Sequence, residues 1–356
     1  MSGHAKTSFE DAPATPYVRI DLGRVDAAID RMADHARSLG VALRPHAKTH
    51  KSIRLGHRQR AAGAVGLTVA TVGEAEVFAE GGCDDLFIAY PLWIDAPKAR
   101  RLARVMDRAR VAVGVDSVES VAEMVAHGIR PEVVIEVDSG HHRSGVAPGA
   151  AGTIARYAAD AGFRVRGAFT FPGHSYAPQT RASAAVDEAS ALLTASDAIA
   201  AVDLDVAVRS GGSTPSAEFA APGLTELRPG VYVFGDAQQV ELGSCQMEDV
   251  ALTVVATVVS HAGGRVILDA GGKALGADRA PWSSGHGRLL EWPDARIVAL
   301  SEHHATVEWG TGERPQLGSQ VLVVPNHVCA TVNLADSFVV AGSSERWQVD
   351  ARGKNA

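Results

Sequence analysis

From residue 41 to about residue 236, short β-branched runs alternate with Ala-rich amphipathic stretches. Runs of the first kind begin near Val41, Ala64, Asp85, Arg110, Glu132, Phe163, Asp205 and Thr225, and their length and Val/Ile/Phe content predict strands. Between most of them lie stretches with helical spacing, such as 96–109, 118–127, 150–161 and 182–199. This alternation predicts an α/β fold, a (β/α)8 TIM-type barrel, with a doubly wound open sheet as the competing arrangement.

After Gly235 the pattern changes and helical spacing largely disappears. Segments 250–261, 265–269, 296–309, 320–326, 337–340 and 346–349 read as strands separated by Gly, Pro, Asp and Ser. The expected organisation is a lead and first strand over 1–24, with the first 15 residues flexible and a strand at 17–22 associated with the β domain. A barrel over 25–240 and a mostly β domain over 241–356 follow.

Composition narrows the class of partner. With 46% hydrophobic residues in 356, the chain is long enough for a sizeable core. Thirty-four basic against 41 acidic residues leave a net charge of -7, which argues against nucleic acid or an anionic membrane and favours a small molecule. No apolar run approaches the roughly 20 residues of a membrane helix, and the polar N-terminus lacks a signal-peptide core, so a cytoplasmic protein is expected. Cys83, Cys245 and Cys329 are odd in number and far apart, which does not suit a disulfide scaffold.

The densest polar cluster is RPHAKTHK at 44–51, directly after the first barrel strand. If the segment is extended, Arg44, His46 and Lys48 share a face and point toward the barrel mouth, where such folds keep their chemistry. A lysine among cations has a lowered pKa and becomes a usable amine for a Schiff base. The plainer reading is a solvated basic turn. Lys51 falls on the opposite face.

Segment 44–51 resembles the cofactor-lysine motif of the D-threonine aldolase and D-serine dehydratase family, alanine-racemase-like pyridoxal phosphate (PLP) enzymes of fold type III. The resemblance continues through EVDSGHHRSGV at 136–146, GGSTPS at 211–216, TELRPGVYVFGD at 225–236, LDAGGK at 268–273, SEHH at 301–304 and PNHVCATVNL at 325–334. It implies a PLP-binding barrel, a C-terminal β domain and a homodimer with the active site near the subunit boundary. By the same resemblance Lys48 holds PLP and then serves as a base, and Arg143 faces the pyridine nitrogen. Because arginine does not give up its proton, that nitrogen is left unprotonated.

Gly211, Gly212, Ser213 and Thr214 follow the seventh strand, where glycine amides and hydroxyls can receive a phosphate. Tyr232 matches a family tyrosine near the phosphate or ring. His174, in FPGHSY, sits where the family places a polar residue over the cofactor, although relatives often have YHGS there.

His327 and Cys329 are the metal signal. On an extended segment the two side chains share a face and can chelate one divalent ion (Zn, Mn or Mg), water or substrate completing the shell. A thiolate favours zinc, whereas a Cys-His nucleophilic pair lacks an evident oxyanion loop. His303, in SEHH, is the expected third member, as an acid/base or a partner of the ligands. Relatives frequently have Gly where this chain has His304.

The expected activity is a PLP- and divalent-metal-dependent lyase for D-β-hydroxy amino acids. D-Threonine aldolase leads, and D-serine or D-threo-3-hydroxyaspartate dehydratase is the alternative. A non-catalytic PLP carrier would have no need of a substrate-side metal. A racemase would want a tyrosine base from the β domain, and no Tyr follows Tyr232.

Overall fold

The computed structural model describes residues 13–310 and 312–356, so the first 12 residues of the expected flexible lead lie outside the described residues. The chain forms two compact units. Among the described residues, one comprises 13–26, Phe234–Val240 and Gln246–Val349; the other comprises Ala27–Val233, Glu241–Cys245 and Asp350–Ala356.

Numbering all strands in chain order, β1 (Tyr17–Ile20) belongs to the first unit and the next eight form a parallel sheet in the second. These are β2 (Ala42–Leu43), β3 (Leu67–Val69), β4 (Asp85–Pro91), β5 (Arg110–Val115), β6 (Glu132–Glu136), β7 (Val165–Phe169), β8 (Val208–Gly211) and β9 (Glu226–Leu227). The sheet order is β2-β9-β8-β7-β6-β5-β4-β3. Its two ends meet: Val65 N–H donates to Leu43 O at 2.9 Å, Thr68 N–H to Pro45 O at 2.8 Å, and His46 bridges Thr68. The result is the predicted TIM-type α/β barrel.

Helices Ala96–Met106, Val118–Ala126, Ala151–Asp160 and Arg181–Ala200 fill the predicted helical stretches. Several begin at side-chain caps: Thr71, Asp95 and Ser117 accept from the backbone N–H three residues on, satisfying donors that a helix start leaves open. Strand alternation sorts the core. Leu86 and Ile88 of β4 pack in the large cluster with helix residues, whereas Phe87 joins Ala112, Val134, Phe169 and Val208 in a separate cluster.

The other unit holds β10 (Leu252–Ser260), β11 (Val266–Leu268), β12 (Gly287–Leu289), β13 (Arg296–Leu300), β14 (Ala305–Glu308), β15 (Gln320–Pro325), β16 (Ser337–Val340) and β17 (Arg346–Gln348). Sheet order is β11-β14-β13-β12-β15-β10-β1-β16-β17, and β10 also pairs β11, so six strands run in a closed circuit. The segment expected as one strand at 296–309 is a hairpin, because SEHH makes its turn: Ser301 N–H donates to His304 O at 2.9 Å. Gly271 packs against that turn so closely that a Cβ would collide with backbone at Ser301 and His304, which joins LDAGGK to SEHH.

The expectation of an extended segment at His327 and Cys329 is corrected. His327 is extended (φ -131°, ψ 106°) but it caps helix Val328–Leu334, and Cys329 lies in the first turn. Val328, Thr331 and Val332 are buried at helical spacing, and the Thr331 hydroxyl donates to Leu275 O at 2.6 Å. Burial of that face outweighs the strand preference of the β-branched residues.

Candidate active site

In the barrel unit, most of the residues singled out from the sequence stand in the loops that follow the strands. Beyond β2 the chain turns at once: residues Ala47–Thr49 form a tight 3-10 turn that carries Lys48. The Nδ1 atom of His46 accepts from Lys48 N–H at 3.4 Å. Burial, with Lys48, Arg228 and His50 as neighbouring charges, holds the His46 pKa well below the usual imidazole range, so it is a neutral acceptor.

The shared face expected for Arg44, His46 and Lys48 does not form. Arg44 is buried inside the barrel, with Nη1 2.7 Å from Asp85 and Nε 2.7 Å from Glu226. The extended face ends with two-residue β2, and two buried carboxylates claim the guanidinium. Lys51 is likewise committed, its ammonium 2.8 Å from buried Glu74.

Arg143 is presented by a loop built on Asp138. That carboxylate accepts from Gly140 N–H (2.9 Å), His142 N–H (3.0 Å) and His142 Nδ1 (2.6 Å). The loop closes where Val146 N–H donates to Glu136 O and Asp138 N–H to Val146 O. The half-exposed Arg143 guanidinium lies 5.1 Å from the Phe171 ring centre, and Lys48 Nζ lies 5.5 Å from the same ring. A cavity of about 550 Å³ is lined by His46, Lys48, Thr71, Tyr90, Asp116, Arg143 and Ser144. Its size suits a small organic cofactor with substrate.

The remaining barrel candidates are buried or nearly so. Gly212 adopts φ +85°, and its N–H donates to buried Glu188 at 2.5 Å. Ser213 N–H donates to Ser216 Oγ, and Ser213 Oγ meets Ser175 Oγ at 2.8 Å. Two amides of the expected phosphate nest are thus engaged within the protein. The Thr214 hydroxyl accepts from Tyr232 N–H at 3.0 Å and keeps its own proton to donate. Tyr232 lies in a 3-10 turn, its hydroxyl accepts from Gln59 at 3.0 Å, and burial raises its pKa. His174 stands on its own short turn with Nε2 3.3 Å from Asp187.

Sequence reading overlooked Phe171, Glu136, Glu188 and Arg228. Arg228 is buried between the Phe87 and Phe169 rings, 5.6 and 5.2 Å from their centres, and donates to Ser210 at 2.8 Å and to Thr170 O. Burial pushes Glu136 up to about 7 against the opposing pull of Ser144 and Arg143. It pushes Glu188 up to about 7 against the Gly212 amide and Arg228. For Glu136 the detectable signal was a charge placed in the apolar run EVVIE of β6.

In the other unit, His327 Nδ1 lies 3.5 Å from Oδ2 of fully buried Asp236, which accepts from Val328 N–H at 3.1 Å and Gln239 N–H at 2.9 Å. Burial opposes charge on His327, but Cys329 and Asp236 outweigh it and raise its pKa well above the usual range. His and Cys are therefore close neighbours despite the helix. A carboxylate behind an imidazole is the usual support of a metal-binding histidine. No group of three or more His, Cys, Asp or Glu is assembled for a metal among the described residues, so His303 does not complete one. His303 is exposed in the β13–β14 turn.

These residues fit the two groups that the sequence implied. A lysine beside a cavity, a permanently cationic arginine facing it and buried hydroxyls in a glycine turn suit PLP. A half-buried thiol and imidazole suit a soft divalent ion whose remaining positions stay open.

Residues 20–238 match the family model described as alanine racemase, N-terminal domain, and residues 251–341 match the putative serine dehydratase domain. The class is thus an alanine-racemase-like barrel enzyme with a dehydratase-type β domain. The chain is 35% identical to D-threo-3-hydroxyaspartate dehydratase of Delftia sp. (strain HT23), over 94% of this chain and 96% of that one. It is 34% identical to D-threonine aldolase of Arthrobacter sp., over 95% and 93%. A solved structure of a D-threo-3-hydroxyaspartate dehydratase mutant in the metal-free form superposes with a TM-score of 0.87 at 34% identity, covering 95% of this chain and 97% of that one. The chain belongs to this family of PLP-dependent D-amino acid lyases, which unites D-threonine aldolases with D-serine and hydroxyaspartate dehydratases. No helix among the described residues is long and apolar enough to cross a membrane.

Proposed function

We propose that the protein is a PLP- and divalent-metal-dependent lyase acting on D-β-hydroxy amino acids and working as a homodimer. The observation that carries this reading is the cavity that Lys48 and Arg143 share, both against Phe171. PLP, when bound, withdraws electrons from the substrate α-carbon. Lys48 would hold it covalently through its side-chain amine and, once freed, would move a proton with that amine. Arg143 keeps its own proton and so withholds one from the ring nitrogen, making the ring a milder electron sink. The Thr214 and Ser213 hydroxyls, with the Gly212 turn, would receive the phosphate. Tyr232 and His174 would flank the ring.

His327 and Cys329 would hold the divalent ion, which lowers the pKa of a β-hydroxyl or helps hydroxide depart. His303 would act on the substrate side. Two outcomes share this machinery. Retro-aldol cleavage is favoured by FIAYPLW at 87–93 and PNHVCATVNL at 325–334, which resemble the aldolase subgroup. Dehydration is favoured by the thiol donor, which suits zinc, and by the likeness to hydroxyaspartate dehydratase.

Incubation with D-threonine separates them: glycine plus acetaldehyde marks the aldolase, 2-oxobutanoate plus ammonia the dehydratase. Release of neither glycine with an aldehyde nor ammonia with a keto acid from D-threonine, D-serine or D-threo-3-hydroxyaspartate, with cofactor and metal verified as bound, would end the proposal. In the same assay Cys329→Ala is expected to lose metal while keeping the visible absorption of the lysine-linked cofactor.

A further inference from the structure

The segment Asp350–Ala356 belongs to the compact unit of the barrel, although the residues immediately before it belong to the other unit. It lies against the turn that carries Lys48. Helix Ile53–Ala61 starts there, and its N-cap Ser52 makes no side-chain cap. Asp350 supplies the missing acceptor, taking Ile53 N–H at 2.7 Å. Ala351 N–H donates to Lys51 O at 2.9 Å.

Lys51 has φ +51°, a left-handed conformation that is costly for a side-chain-bearing residue, so something must hold it. Its ammonium reaches Glu74 at 2.8 Å, Ala351 O at 3.4 Å and Asn355 Oδ1 at 3.4 Å. Lys51 N–H in turn donates to Ala47 O at 2.8 Å, which closes the turn around Lys48. Further along, Thr71, a wall of the cavity, donates its hydroxyl to Lys354 O at 2.6 Å.

We propose that residues 350–356 are a positioning clamp for the cofactor lysine: Asp350 and Asn355 act through Lys51 and the start of helix Ile53–Ala61 to set where the Lys48 amine stands. This rests on Lys48 being the residue that holds PLP.

The test uses the full chain and variants titrated with pyridoxal phosphate, reading the visible absorption of the lysine-linked cofactor and, separately, circular dichroism for the fold. Termination after Val349 and the point variant Asp350→Ala are each expected to weaken cofactor binding about tenfold, the scale of one lost hydrogen bond to a charged acceptor. Asp350→Asn, whose amide oxygen still accepts from Ile53, is expected to restore it. If the truncated chain does not fold, the two Asp350 variants decide. Full affinity in Asp350→Ala, or failure of Asp350→Asn to recover affinity that Asp350→Ala has lost, overturns the clamp. Lys48→Ala runs alongside. Its losing the absorption leaves the clamp to be judged by the other variants, and its keeping the absorption overturns the reading beneath the clamp and the clamp with it.

Discussion

Two ends of one barrel bury charge in opposite ways. At the N-terminal ends of the strands, Asp85 of β4 receives Arg44 at 2.7 Å and also Arg110, while Glu226 of β9 holds the other edge of Arg44. Burial alone would raise the Asp85 pKa, but the two arginines outweigh it and lower it. Near the C-terminal ends, Glu136 has Arg143 only at 3.9 Å, one carboxylate oxygen buried without a hydrogen bond, and a pKa pushed up to about 7. Glu188 is pushed equally far. The same residue chemistry is fully paired where it holds the barrel together and short of partners where it surrounds the candidate site. Perturbed groups of this kind gather where chemistry is done.

The largest effect should come from breaking the paired end. Arg44→Ala leaves Asp85 and Glu226 buried with too little compensating charge, and urea unfolding should register a loss of about 3–5 kcal/mol. A loss below about 1 kcal/mol would erase the distinction between the two ends.

A smaller effect, opposite in sign, is expected at the other end. Glu188 has a folded pKa above its ordinary value of 4.5, so the fold prefers its protonated form. Its stabilising contribution is present below the unfolded pKa and is lost as pH rises from 4.5 to about 7. Glu188→Gln removes that dependence and should gain roughly 2–3 kcal/mol over the parent at pH 8, with little difference at pH 4. Unfolding curves at the two pH values that run parallel in parent and variant would contradict this. Smaller still, Ser144→Ala removes a 3.1 Å donor to Glu136 and should raise that carboxyl's apparent pKa by about half to one unit in an NMR titration. An unchanged value would mean that Ser144 does not restrain this carboxylate.

Much of the barrel could be read from the sequence, because most strands fall in short β-branched runs and most helices between them keep their apolar spacing. Candidate site motifs are easiest to place where the local backbone is self-contained, as in HHRSGV, whose Asp138-built loop presents Arg143. Legibility failed where a partner lies far along the chain. Nothing near Arg44 announces Asp85 and Glu226, and nothing near Lys51 announces Asn355, 304 residues away. It also failed where face alternation was assumed beyond the end of a strand: β2 stops at Leu43, and β15 stops before His327 caps a helix. Buried spacing at Val328, Thr331 and Val332 was the available sign of that helix, masked by residues that favour strands.

The central claim is that of two lysines three positions apart, Lys48 meets the cofactor while Lys51 serves the fold. Borohydride reduction of the PLP-loaded protein fixes the cofactor to its lysine, and peptide mass spectrometry then finds it. The label is predicted on Lys48 alone; a label on Lys51, or on any lysine away from the cavity, would contradict the account.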